Sequence, residues 1–267
     1  MLEKILKETL YKADSEYALF IKGLSTEECF YINKGTRVSS ASIIKLFIMG
    51  AAFQGVQEDR FTLHQRISIK EEDRIPYSII ALLEPEHSYS IKDLITLMII
   101  QSDNTATNVL ISLLGMEYIQ CFINAQGMKN TIIARKMLDY AAKEEGRDNI
   151  TTVEDVSMYL LSLYEKKVIN ASYSEQMLYI LSKQLDDSVM KRDVSEDVHI
   201  AHKTGGLPYL NHDAGIVYTQ EEDYIFVMFT WNSKEDSGGK KIIGDASKLV
   251  YEYFTDKGLQ NRGSDKL

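Results

Sequence analysis

A chain of 267 residues with 45% hydrophobic content can bury a sizeable core, as one large domain or as two. A formal net charge of −9 and an isoelectric point near 5.2 repel polyanions, which excludes a nucleic-acid or anionic-membrane partner held by bulk charge. No stretch reaches the roughly 18 to 20 apolar residues that a bilayer crossing requires, so no membrane span is expected.

Leu2, Ile5, Leu6 and Leu10 recur at helical spacing, so the chain opens with an amphipathic helix laid on an apolar surface. Acidic Glu3 and Glu8 interrupt this stretch, which begins at Met1 and lacks the pure apolar run and small-residue cleavage site of a secretory leader. The sequence as it stands therefore points to the cytoplasm, or outside it if a leader has been removed. Segments 17–22 and 29–33, rich in aromatic and branched residues and joined by a polar turn through Glu27, predict a β-hairpin. Cys29 and Cys121 lie far apart, without a CxxC string or histidine company, and are expected as two buried thiols; no metal or redox cofactor is indicated.

From Ser42 to about Ser182 helical periods dominate, including 91–101 after a cap at Ser90, 105–114 ending at Gly115, and 153–164. Strand character returns at 198–204, 215–219 and 224–231, and a helical period resumes over 242–254. Strands at both ends with helices between predict an α/β plus all-α fold. In it an antiparallel sheet from residues 1–38 and 190–267, flanked by the first and last helices, carries an inserted helical domain, 39–189.

Three strings follow one another in this chain: Ser42-Ile43-Ile44-Lys45, Ser102-Asp103-Asn104 and Lys203-Thr204-Gly205. Ser-x-x-Lys alone is weak, since Ser188 to Lys191 and Ser237 to Lys240 also spell it. Only Ser42 precedes the other two strings and opens an apolar helix-like run, so the other copies are read as chance. A serine hydroxyl is a poor nucleophile at neutral pH; it needs an adjacent base and a pocket for the oxyanion formed on attack. Lys45 lies three residues on, on the same helix face, within reach of that hydroxyl. The helix start offers free N–H groups of partial positive charge to an oxyanion. Lysine is a base only when neutral, which takes burial or a nearby positive charge, and Lys203 can supply the charge. Ser102 and Asn104 have a plainer alternative as caps of the helix beginning near Thr105.

In order and spacing these strings resemble those of the class A β-lactamase and penicillin-binding serine hydrolase superfamily, over most of the chain. The resemblance implies a sheet domain and a helical domain with the cleft between them. It implies that Ser42 is acylated, that Ser102 relays a proton to the leaving nitrogen, and that Asn104 holds Lys45 and the acyl amide. Lys203 and Thr204, with Gly205, would bind the substrate carboxylate, and Gly206 would give the second oxyanion N–H. Tyr77 falls where the family puts an aromatic cleft wall, and Arg135 and Asp148 where an ion pair pins the base of an Ω-shaped loop. A monomer acting on a small β-lactam or D-alanyl peptide, without a cofactor, is the expectation.

The family's loop carries a glutamate, in Glu-x-x-Leu-Asn, that activates the deacylating water; this chain lacks the string. Counting from Arg135 puts Met137 at the glutamate's place, and the nearest carboxylate is Asp139, two positions on and one carbon shorter. Acylation at Ser42 then stays available while hydrolysis of the adduct slows. The leading expectation is a β-lactamase-type serine hydrolase with slow deacylation. The alternatives are a D-alanyl-D-alanine peptidase or esterase of the same fold, or a domain that traps a β-lactam covalently as a sensor. A serine–histidine–acid arrangement is disfavoured because no Gly-x-Ser-x-Gly elbow surrounds Ser42. Strand alternation puts His202 on the face opposite Lys203, while His212 and Asp213 are placed to line the cleft mouth.

Overall fold

The structure, a computed structural model, describes residues 2–11, 13–26, 28–85 and 87–264, with side chains as far as Thr255. Met1 and Glu27, which the sequence assigned to the first helix and the first turn, lie outside the described residues. In chain order come α1 (Leu2–Leu10), β1 (Glu16–Gly23), β2 (Cys29–Ile32) and the short β3 (Val38–Ser39). A 3-10 turn (Ala41–Ile44) leads directly into α2 (Lys45–Gln57), followed by β4 (Arg66–Ser68), β5 (Ser88–Ser90), α3 (Ile91–Ile100), α4 (Asn104–Leu114) and α5 (Met116–Ala125). Then follow α6 (Tyr140–Glu144), β6 (Ile150–Thr151), α7 (Val153–Tyr164), α8 (Ala171–Leu181), β7 (His199–Leu207), β8 (Leu210–Tyr218), β9 (Tyr224–Trp231) and α9 (Gly238–Ser264).

Five strands form one antiparallel sheet in the order β2-β1-β9-β8-β7. β9 is nearly all apolar because both its faces are covered. Tyr224, Phe226 and Met228 join Leu6, Leu10, Ile243, Val250 and Phe254 in the layer beneath α1 and α9. Ile225, Val227 and Phe229 join the larger core of the helical side. β7 and β8 run further than the sequence indicated, since glycines at 205 and 206 and the polar run Asn211, His212, Asp213 read as loop. Pairing of Leu207 with Leu210 leaves Pro208 and Tyr209 as the hairpin turn, and the three polar residues are buried with the sheet.

On the helical side α2 is the hub. Every residue from Lys45 to Phe53 is buried, as a helix apolar all round must be. The caps follow local chemistry: Ser90 and Asp93 form a reciprocal capping box on α3, and Thr152 accepts from Asp155 N at the start of α7. On α4 the plainer alternative for Ser102 and Asn104 does not hold. Neither Ser102 nor Asn104 caps it; Asp103 between them does, accepting from Ala106 N at 2.9 Å. The cysteines depart from expectation, both being exposed. Cys29 sits on the edge strand β2, and Cys121 on the outer side of α5 while Ile119, Phe122 and Ile123 point inward. Among the described residues no single helix is long and apolar enough to cross a membrane.

Gly50 marks the tightest point of this packing, because a Cβ there would overlap the Tyr159 hydroxyl and the Phe122 ring. Alanine in mid-helix normally gains about 1 kcal/mol over glycine. Here both obstacles belong to buried rings, and forcing an atom into a filled core costs about 1–3 kcal/mol. Gly50→Ala is therefore expected to lower the urea midpoint of unfolding; an unchanged or higher midpoint would show that the rings yield.

Candidate active site

β7 forms one edge of the sheet, and the 3-10 turn bearing Ser42 lies close against it. A Cβ on Gly205 would sit 3.2 Å from Ile43 Cγ1, 3.3 Å from Ser42 N and 3.4 Å from Ala41 Cβ, so a side chain there would push the serine outward. The turn itself is bent by Ala41 at a φ of 43°, a conformation that costs an L-residue energy. Ser42 reaches the cleft; Lys45, one turn on, is fully buried.

Lys45 Nζ contacts Ser102 O at 2.6 Å, Asn104 Oδ1 at 2.9 Å and Ser102 Oγ at 3.0 Å; none of these three contacts goes to Ser42. Lys203 Nζ donates to the same Ser102 Oγ at 3.1 Å and to Thr204 O at 2.8 Å. Proton counting fits a neutral Lys45. Its two N–H bonds meet the two obligate acceptors, Ser102 O and Asn104 Oδ1. With Lys45 neutral its lone pair would take the Ser102 O–H, and with Lys45 charged the same contact is an N–H donated to Ser102 Oγ; in both cases that oxygen accepts from Lys203. Burial pushes Lys45 well below the usual lysine range and the Lys203 charge lowers it further, against the opposing pull of Asp103. Burial also brings Lys203 down to about 8, less far because Asp213 and Asp186 favour its charged form.

These groups sit at or directly behind a cleft of about 840 Å³, lined among others by Ser42, Tyr77, Ser102, Asn104, Met137 and Thr204. Gly205 and Gly206 continue that wall. Tyr77 is 80% exposed at a φ of 56°, and its carbonyl accepts from Asn104 N at 3.3 Å. Ser102 and Leu138 also hold positive φ, at 54° and 60°. Such strain gathers at sites whose surroundings over-determine the backbone.

Arg135 closes the loop from 135 to 148, its Nε 2.7 Å from Asp148 Oδ1. Asn149 reinforces that base, its Oδ1 accepting from Ala134 N and Arg135 N at 2.8 and 3.1 Å. Met137 faces the cleft. Its backbone is clamped by Asn108, whose Oδ1 accepts from Met137 N at 2.7 Å and whose Nδ2 donates to Met137 O at 3.1 Å. Asp139 does not line the cleft; it is the N-cap of α6, accepting from Ala142 N at 3.0 Å, which corrects its expected part as a substitute base.

His212 and Asp213 are likewise absent from the cleft lining, both being 0% exposed. The His212 ring lies tilted against Phe229 and points its nitrogens at Asn211 O and Ser39 O; burial holds it down to about 4 against these two carbonyls. Asp213 Oδ1 lies 2.9 Å from Nδ1 of the buried His202, and its Oδ2 accepts from Met190 N at 2.9 Å. β8 lies inside the sheet, between β7 and β9, and its His212 and Asp213 turn into the protein, while Asn211 of the same polar run reaches the cleft. Among the described residues no cluster of His, Cys, Asp or Glu is arranged to hold a metal.

Sequence reasoning missed Asn108, legible only as a second polar residue one turn after Asn104 on the same helix. It missed the work of Asp103, which accepts from Ser78 Oγ at 2.8 Å and Ile80 N at 3.1 Å and so ties the Tyr77 segment to α4. It also missed Asp186 and Lys240 in the cleft wall.

Comparison with known proteins agrees with this geometry. A family model described as the Beta-lactamase enzyme family matches residues 1–254. A β-lactamase of Bacillus licheniformis is 22% identical over 243 residues, which cover 89% of this chain and 78% of that protein. The crystal structure of a β-lactamase from Sphaerobacter thermophilus DSM 20745 superposes with a TM-score of 0.87 at 25% identity, covering 95% of this chain and 97% of that one. An acyl-enzyme complex with penicillin G, formed by a leucine-to-glutamate variant of PBP-A, superposes with a TM-score of 0.87 at 24% identity and 96% coverage of both chains. With the family's pattern running through all but the last residues, and its fold built around an apolar helix that begins beside a cleft serine, this chain belongs to the β-lactamase enzyme family as a serine hydrolase of the class A β-lactamase type.

Proposed function

We propose that the chain opens β-lactams by acylation of Ser42 and releases the product slowly. Neutral Lys45 takes the proton from Ser42 Oγ as that oxygen attacks the ring carbonyl, with the Ser42 and Gly206 N–H groups facing the oxyanion. As the carbon–nitrogen bond breaks, Ser102 gives its proton to the leaving nitrogen and is reprotonated through Lys45. Lys203 and Thr204 hold the carboxylate, Asn104 the acyl amide, and Tyr77 walls the cleft. A D-alanyl peptide would meet the same groups. The observation that carries this reading is the Ser102 hydroxyl bonded to two buried lysines in the cleft that Ser42 enters. The penicillin G acyl group borne by the PBP-A variant supports it on a shared fold.

Slow release follows from the loop. A methionine thioether cannot take a proton from water, and Asp139 is engaged at its helix cap. Loss of a general base slows a step by about a hundredfold to ten-thousandfold.

Three outcomes are expected. Intact-mass spectra after benzylpenicillin treatment should show one adduct on the wild type, persisting for many minutes, and none on Ser42→Ala; an adduct on the variant would move the nucleophile elsewhere. Met137→Glu, with its backbone still clamped by Asn108, should shed the adduct at least about tenfold faster, whereas an unchanged lifetime would show that the loop holds the new carboxylate out of reach of water. With its pKa brought down to about 8, Lys203 loses its charge as the pH rises through that range. The second-order rate of acylation by benzylpenicillin should accordingly fall above about pH 8, and Lys203→Arg, charged throughout, should carry that limb past about pH 10. A limb that stays in place in the variant would assign it to another group.

A further inference from the structure

The part of the cleft between β7 and α9 is walled by Thr204, Asp186, Val189, Ser237 and Lys240. The carboxylate among them is fixed in place. Asp186 Oδ1 accepts from Ser188 Oγ at 2.5 Å and Ser188 N at 3.1 Å, and the Asp186 N–H donates to Gln184 Oε1 at 3.1 Å. Lys240 Nζ donates to the same Ser188 Oγ at 3.0 Å, tying the first turn of α9 to this loop. Burial works against an ionised Asp186, yet the Ser188 bonds, the Lys240 charge and the Thr204 hydroxyl together hold its pKa below the usual value. In the other direction, the Asp186 charge favours the protonated form of Lys203. Asp186 thus stands in the same cleft wall as Thr204, with its charge felt by Lys203, and these are the two side chains that acylation of Ser42 assigns to the substrate's carboxylate.

We propose that Asp186 is a specificity residue, an internal carboxylate that competes with the substrate's own for Lys203 and Thr204. The site thereby favours acyl donors whose leaving side is an ester or amide over those ending in a free carboxylate. Like charges brought together out of water repel, and a second carboxylate entering this corner meets the first before it reaches the ammonium. Lys240 offsets that repulsion only in part, since it reaches Asp186 through Ser188. The inference rests on the acylation of Ser42 proposed above.

The test is the rate of adduct formation, by intact mass at subsaturating concentration, for benzylpenicillin and for its methyl ester, in wild type, Asp186→Asn and Asp186→Ala. The wild type should react faster with the ester. Measured at pH 6, well below the value of about 8 at which Lys203 loses its charge, Asp186→Asn should accelerate the reaction with benzylpenicillin about tenfold and leave the ester within about twofold, so that the preference narrows or reverses. A wild type that prefers the free acid overturns the inference without recourse to any variant. So does a variant in which both compounds change together, the mark of a structural disturbance, or in which neither changes. Adducts that form with an unmoved ratio overturn this inference alone; no adduct from either compound on any protein removes the acylation reading and this one with it.

Discussion

Lys45 and Lys203 are both withdrawn from water, and one hydroxyl, that of Ser102, touches both amines. Two ammonium ions cannot share a buried space cheaply, so one must give up its proton. Which one yields is decided by surroundings. Asp213 and Asp186 act on Lys203 and keep it near titration at mildly basic pH, while Lys45 answers to burial in a helix core and to the Lys203 charge, with Asp103 pulling the other way. On the proposed mechanism this asymmetry makes one lysine a base and the other an electrostatic anchor, with a hydroxyl between them through which a proton can pass.

The rest of the fold keeps that arrangement dry and in register. α2 is buried on every side, so its first residue, Lys45, enters the protein and not solvent. The edge strand β7 brings Lys203 from the sheet, and the loop before α4 brings Ser102 from the helical side. Asp103 fixes that loop three ways, to Ala106, Ser78 and Ile80, which lets Ser102 hold a φ of 54°. Buried ions are weak contributors to stability, so the apolar layers on both sides of β9 must supply what this polar seam does not.

The loop from 135 to 148 shows how a scaffold persists while its chemistry changes. Its ion pair at the base and the Asn108 clamp on residue 137 are backbone devices, indifferent to the side chain that residue carries. Methionine therefore fits where a proton acceptor would be needed for hydrolysis, and the cleft wall becomes apolar at that point. Acylation and release are separable because they draw on different elements, α2 and β7 for the first and this loop for the second.

Much of this was legible in one dimension. The periods of α3 and α7 and the apolar run of β9 depend on local alternation, which needs no partner to be read. The order of Ser42, Ser102 and Lys203 carried the chemistry, because few other uses require a lysine one turn after a serine together with a second lysine and a second serine. Position in space was not legible. Asp139 looked like a base until the start of α6 took it as a cap, and His212 and Asp213 looked like a cleft mouth until β8 lay inside the sheet. Lys240 and Asp186 carried no signal of a shared wall until α9 docked against the segment before β7. The sequence by itself determined which elements form and which residues hold the chemistry, since both follow from side-chain type and spacing. Only the tertiary structure decided which lysine is drawn furthest from its charged form and which carboxylate lines the cleft, because burial and the charge next door are set by segments far apart in the chain.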